Sequence, residues 1–174
     1  MEIIRYPAPI LREPCQPVEE FTPEIAELAG QMILTMYKNE ARGLSAPQIG
    51  RPINLFVCVM GQDRPMIFIN PEIIEKSEKT VKSLEGCLSI PGVVANLTCR
   101  YEEVRIKAFS TIGDEFSLLF SSYDAITFQH EYDHLFGTIL FDRMKSSQRI
   151  IKHARYMKRI KKEEKLNENL RKRR

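Results

Sequence analysis

Between Phe21 and Asn39 the apolar residues Ile25, Leu28, Ala29, Met32 and Ile33 recur at three- and four-residue spacing, the stripe that one face of an α-helix buries. Thr22 at the capping position, Pro23 in the first turn and Glu24 beside the positive helix end predict where that helix starts. Gly43 to Gly50, interrupted by Pro47, predicts loop or short extended structure. Asn54 to Met60 and Met66 to Asn70 are short apolar runs bounded by turn residues, and Val104, Ile106 and Ala108 alternate with Arg105 and Lys107 as in a half-buried strand. Gly113 and Asp114 turn the chain into an apolar run ending at Phe120. A second helix is expected from about Asp124 to Phe136, with Gly137 as its left-handed terminator.

Beyond Met144 there is no Gly or Pro, and Ile150, Ala154, Met157 and Ile160 form a narrow stripe among basic residues. A long amphipathic helix is expected there, fraying at Arg171 to Arg174. Strands followed by a late helix, without regular strand–helix alternation, predict an α+β fold. Its sheet should be mostly antiparallel and surround the second helix, with one helix N-terminal to it and a basic one at the C-terminus.

A length of 174 residues, 43% apolar, suits one globular domain. No stretch approaches the roughly 20 apolar residues that span a bilayer, and Arg5 interrupts the N-terminus too early for an export signal. The chain is therefore expected to be soluble, cytoplasmic and without stable membrane insertion. Cys15, Cys58, Cys87 and Cys99 show no paired spacing and are expected as reduced thiols. The net charge of +3 conceals an asymmetry. Residues 145–174 carry 13 Lys and Arg against 3 Asp and Glu, a net +10, whereas the preceding 144 carry 13 against 20, a net −7. The division expected is a body, residues 1–145, and a basic tail, residues 146–174, which suits a polyanion or a solvated surface.

Chemistry concentrates in the second helix. His130-Glu131-Tyr132-Asp133-His134 matches H-E-x-x-H, which on a helix projects both imidazoles from one face toward a single metal ion. Glu131 is then the group to take a proton from water at that ion. A hydrolytic centre needs one more protein ligand and an open position, and Cys, His, Asp and Glu all qualify. Cys87 follows Gly86, which permits close backbone approach; Cys15 and Cys58 lack such a feature, and Cys99 reads as a small buried apolar residue.

Three ordered segments, Gly43-Leu44-Ser45-Ala46-Pro47-Gln48-Ile49-Gly50, Glu85-Gly86-Cys87-Leu88-Ser89 and Gln129-His130-Glu131-Tyr132-Asp133-His134-Leu135, resemble the motifs of peptide deformylases, as do Tyr6-Pro7 and Ile10-Leu11-Arg12. The resemblance covers about residues 1–144. It implies a hydrolase that removes the N-formyl group from the formyl-methionine of new polypeptides. Cys87, His130 and His134 would bind one divalent ion, Fe2+ in the family's native form, with Zn2+, Ni2+ or Co2+ as substitutes. It further implies that Glu131 carries the proton, that the Gln48 amide and the Leu88 N–H stabilise the oxyanion, and that Gly43, Gly86 and Leu88 hold the peptide as an added strand. Glu85 and Arg100 resemble a buried charge pair supporting the Cys87 loop. The basic C-terminal helix resembles the one through which bacterial members dock on the ribosome.

The chain departs from the family at Ala41, Arg42 and Ser45, usually Gly, a small apolar residue and Ala, and at Ser83 and Tyr123, more often aliphatic. Arg42 corresponds to a position lining the methionine pocket, so Met preference is expected to weaken. Two other functions remain on the residues alone. A metallopeptidase shares H-E-x-x-H but takes Glu, His or Asp as third ligand, and a non-catalytic RNA- or ribosome-binding module would use only the tail.

Overall fold

The computed structural model describes residues 1–61 and 63–171, apart from the side chain of Asn167; Lys172, Arg173 and Arg174, where fraying is expected, lie outside them. Helix α1, Pro23–Lys38, buries Leu28, Ala29, Met32, Thr35 and Met36, continuing the anticipated stripe by one further turn. Thr22 occupies the capping position in extended conformation, but its hydroxyl makes no capping bond, contrary to expectation.

The chain then forms β1 (Gly43–Ser45), a 3-10 turn (Ala46–Ile49), β2 (Leu55–Met60), β3 (Arg64–Lys76), β4 (Thr80–Gly86), β5 (Val94–Tyr101), β6 (Glu103–Phe109) and β7 (Glu115–Ser121). Helix α2 spans Ser122–Leu135, and α3 spans Ser146–Arg171. All pairings between these strands are antiparallel: a five-stranded sheet in the order β1-β2-β3-β6-β7 and a separate two-stranded sheet β4-β5. Among the described residues β1 pairs with β2 alone and β4 with β5 alone, so each offers one open edge.

All six residues of β2 are buried, because both faces of the strand are covered, which is why it reads as an apolar run rather than an alternation. Phe56, Cys58 and Met60 pack with Phe68, Phe120 and Phe128 on the α2 side, while Leu55, Val57 and Val59 meet Leu28, Met32 and Met36 of α1. A third cluster joins Leu11, Ile90, Val93, Leu97, Phe141 and Tyr156, closing the N-terminal segment, the small sheet and the first half of α3 over one another. α2 begins two residues earlier than the sequence suggests, and Gly137 follows it at φ 67°, the left-handed conformation that releases the chain from the helix.

Candidate metal centre

α2 places His130 and His134 one turn apart, with ring centroids 5.2 Å from each other. The turn after β4 carries Cys87 over the same helix face. One donor atom from each of Cys87, His130 and His134 lies within 4.8 Å of the other two, and Cys87 Sγ stands 3.3 Å from His134 Nε2. No other cluster of metal-ligating side chains of this kind occurs among the described residues.

The orientation of the His130 imidazole follows from its second nitrogen. His130 Nδ1 is 2.8 Å from Glu85 Oε2, which leaves Nε2 to face the cysteine. His134 Nδ1 is buried and has no hydrogen-bond partner, so its Nε2 alone is engaged. Glu85 is itself held on both oxygens. Arg100 donates from Nε to Oε1 at 2.9 Å and from Nη2 to Oε2 at 2.8 Å, and the Ser83 hydroxyl donates to Oε1 at 2.6 Å. The resembled pair is thus present, with Arg100 2% and Glu85 6% exposed. Arg100 continues to Asp133 Oδ2 at 2.7 Å, and Arg143 donates from Nε to the same oxygen at 2.9 Å and from Nη2 to Oδ1. An alternating row of charges therefore runs from Arg143 to His130. Asp133, Arg143 and Ser83 were not among the expected site residues; the only signal for Asp133 was its place inside the H-E-x-x-H motif.

Burial alone would raise the Cys87 thiol, but the charges and hydrogen bonds of His134 and His130 outweigh it and hold the group well below its usual value. Burial likewise opposes charge on His130, whereas its bonds to Cys87 and Glu85 hold the imidazole well above normal. A thiolate and two imidazoles, that of His130 with its second nitrogen fixed by Glu85, suit a borderline divalent ion and fit the implied metal.

Glu131 is 5% exposed and projects toward β1, where Ser45 donates its hydroxyl to the carboxylate and also lies 3.1 Å from the Glu131 carbonyl. Burial pushes the Glu131 carboxyl up, against the partial restraint of His130, His134 and Ser45. Gly43 passes so close that a Cβ there would collide with this carboxylate. The amide of Gln48 is turned by the Ser45 N–H, which donates to its Oε1 at 2.9 Å, leaving Nε2 3.4 Å from Cys87 Sγ and 3.1 Å from Ser89 Oγ.

These groups open on a cleft of about 1160 Å³ lined by Gly43, Gln48, Gly86, Cys87, Leu88, His130 and Glu131. All the expected site residues except His134 are on its wall, and His134 lies behind Cys87. Cys99 is a correction: it is only partly buried, packing against the third cluster on one side and bordering a second cleft with Arg143 and Tyr132 on the other.

An α+β scaffold that clusters one thiol and two imidazoles beside a buried carboxylate has the donor set that a single-ion centre requires. The family model for polypeptide deformylase matches residues 1–150, and the chain belongs to that family. It is 40% identical over 148 residues to peptide deformylase 1B of Arabidopsis thaliana, a chloroplastic/mitochondrial protein, covering 83% of this chain and 54% of that one. The chain thus spans about half the length of that plant relative. It is 37% identical over 165 residues to the peptide deformylase of Aquifex aeolicus, with 92% and 96% covered. A crystal structure of the Arabidopsis protein with an inhibitor superposes with a TM-score of 0.87 at 38% identity, over 95% of this chain and 93% of that one.

Proposed function

We propose that the chain hydrolyses the N-formyl group of newly made polypeptides, with formyl-methionine at their N-terminus, and releases formate. The observation that carries this reading is the set of Cys87, His130 and His134 donors within 4.8 Å, beside the buried Glu131. One divalent ion held there, Fe2+ natively and Zn2+, Ni2+ or Co2+ as substitutes, would lower the pKa of water and polarise the formyl carbonyl.

The remaining work falls to side chains. Glu131 takes the proton of the attacking water and hands it to the amine as the C–N bond breaks; a carboxyl raised by burial is suited to both roles. The Gln48 amide, aimed by its bond from Ser45, and the Leu88 N–H receive the developing negative charge on oxygen. The open edges of β1 and β4 both reach the cleft, at Gly43 and Gly86, so an extended peptide between them completes a continuous sheet.

Anaerobic turnover of formyl-Met-Ala-Ser by ferrous-loaded protein tests the reading, run beside Glu131→Ala and an unformylated protein. Formate release that disappears in the variant, without internal cleavage, is expected. Internal cleavage of the control protein would instead indicate the metallopeptidase.

A second proposal concerns the tail, residues 146–174, as a ribosome-docking element. Its support is the +10 charge of residues 145–174 and the exposure of every described side chain beyond Ile160, including Leu166 and Leu170. No helix among the described residues is long and apolar enough to cross a membrane, and the cytoplasm suits both proposals. Loss of salt-sensitive ribosome binding on replacing Lys161, Lys162 and Lys165 by Ser is the expected result; unchanged binding at matched salt would rule it out.

A further inference from the structure

Helix α2 presents Tyr123, Ile126, Thr127 and His130 at the i, i+3, i+4 and i+7 positions of one face, and all four line the cleft. This face runs from the candidate metal ligand His130 outward over about 10 Å of helix. At its outer end the Arg42 guanidinium lies over the Tyr123 ring, 5.1 Å from the centroid, and both residues belong to the cleft wall. Arg42 is the residue before Gly43, so a peptide backbone running along the β1 edge has that cationic group beside it.

Arg42 is only loosely committed elsewhere. Nη1 is 3.2 Å from Asp63 Oδ1 and Nη2 is 3.4 Å from the Val59 carbonyl, while Nε is buried without a partner. The Asp63 side chain is 84% exposed, and an ion pair of that kind contributes little, so a second carboxylate can compete for the guanidinium. The wall thus has an apolar middle at Ile126 and a cation with a phenol ring at its end.

We propose that Arg42 is a specificity-determining residue and that this chain deformylates peptides whose first side chain is long and acidic, glutamate in particular, alongside formyl-methionine. The inference rests on the deformylase reading and extends its substrate class. Glutamate matches methionine in reach, places its methylenes along Ile126, and ends in a carboxylate that can take over the guanidinium from Asp63. Aspartate, one methylene shorter, fits less well; glutamine has the length without the charge.

The test compares kcat/KM for formyl-Met-, formyl-Glu-, formyl-Gln- and formyl-Asp-Ala-Ser in the metal-loaded full chain, in Arg42→Ile and in Asp63→Asn. The wild-type rate on formyl-Glu should lie within tenfold of that on formyl-Met and exceed those on formyl-Gln and formyl-Asp. The Glu-to-Met ratio should fall at least tenfold in Arg42→Ile and rise in Asp63→Asn, whose exposed position makes it the readable variant should Arg42→Ile fold poorly. A hundredfold wild-type preference for formyl-Met over formyl-Glu, or a ratio that neither substitution moves, overturns the proposal while leaving the deformylase reading intact. Absence of formate from all four peptides overturns both.

Discussion

Tyr156 of α3 donates its hydroxyl to the carbonyl of Tyr6 at 2.7 Å and is 2% exposed, joining the C-terminal helix to the N-terminal segment across the whole chain. Around it, His153 Nε2 is 3.1 Å from the Tyr6 hydroxyl and Lys152 donates to the Val94 carbonyl at 2.7 Å. The first half of α3 is consequently part of the core. Tyr156→Ala should cost about 3 kcal/mol, the magnitude for emptying a buried aromatic site, read as a lower urea midpoint. A chain ending after Lys145 should be less stable still, whereas one ending after Glu163 should keep the wild-type midpoint. Equal midpoints for the full chain and the Lys145 truncation would refute this.

Arg100 stands between Glu85 and Asp133, and removing it leaves two carboxylates buried without their shared cation. Arg100→Met is therefore expected to destabilise by about 3–5 kcal/mol in equilibrium unfolding, far beyond what any exposed pair such as Lys79 with Glu102 would show.

Glu85→Gln keeps the shape but weakens the acceptor that fixes His130 Nδ1. Zinc affinity, measured by competition with a chromophoric chelator, should drop about 10- to 100-fold. An unchanged affinity would show that the helix alone orients the ring.

At Gly43 the requirement is space. In Gly43→Ala the added methyl must displace the Glu131 carboxylate, and kcat/KM for formyl-Met-Ala-Ser should fall about 100-fold with little change in melting temperature. Retained activity would show that the carboxylate has room to move.

Burial pushes the Cys15 thiol up to about 12 from an ordinary 9.0. Above pH 9 the unfolded chain loses this proton while the folded chain keeps it, so stability is full below that point and declines as pH rises toward 12. The urea midpoint of the wild type should fall more steeply between pH 9 and 11 than that of Cys15→Ala.

The sequence made the helices and the central strands legible because their apolar spacing is strong: α1 follows its stripe, and β2 and β6 lie where the runs are. The hairpin of β4 and β5 was largely missed, since Lys82, Glu85, Asn96 and Arg100 interrupt the apolar residues of Thr80–Gly86 and Val94–Tyr101. Glu85 and Arg100 sit there because this sheet supports a charged site, while Lys82 and Asn96 face solvent. His130, Glu131 and His134 could be read from helical spacing, whereas spacing left the third donor open among several residue types. Ser45, Ser83 and Arg143 escaped because a hydroxyl or guanidinium that braces a buried carboxylate leaves no periodic trace. Only folding brings Ser45 to Glu131 across 86 positions.

Two open strand edges that reach one cleft would, on the proposed binding of peptide as an added strand, impose a timetable on the substrate. Backbone groups already committed to a helix or to the chain's own sheet have nothing to offer Gly43 or Gly86. On the proposed function, a polypeptide whose first few residues have folded away would be out of reach, and the interval for processing would close when the new N-terminus finds its own partners.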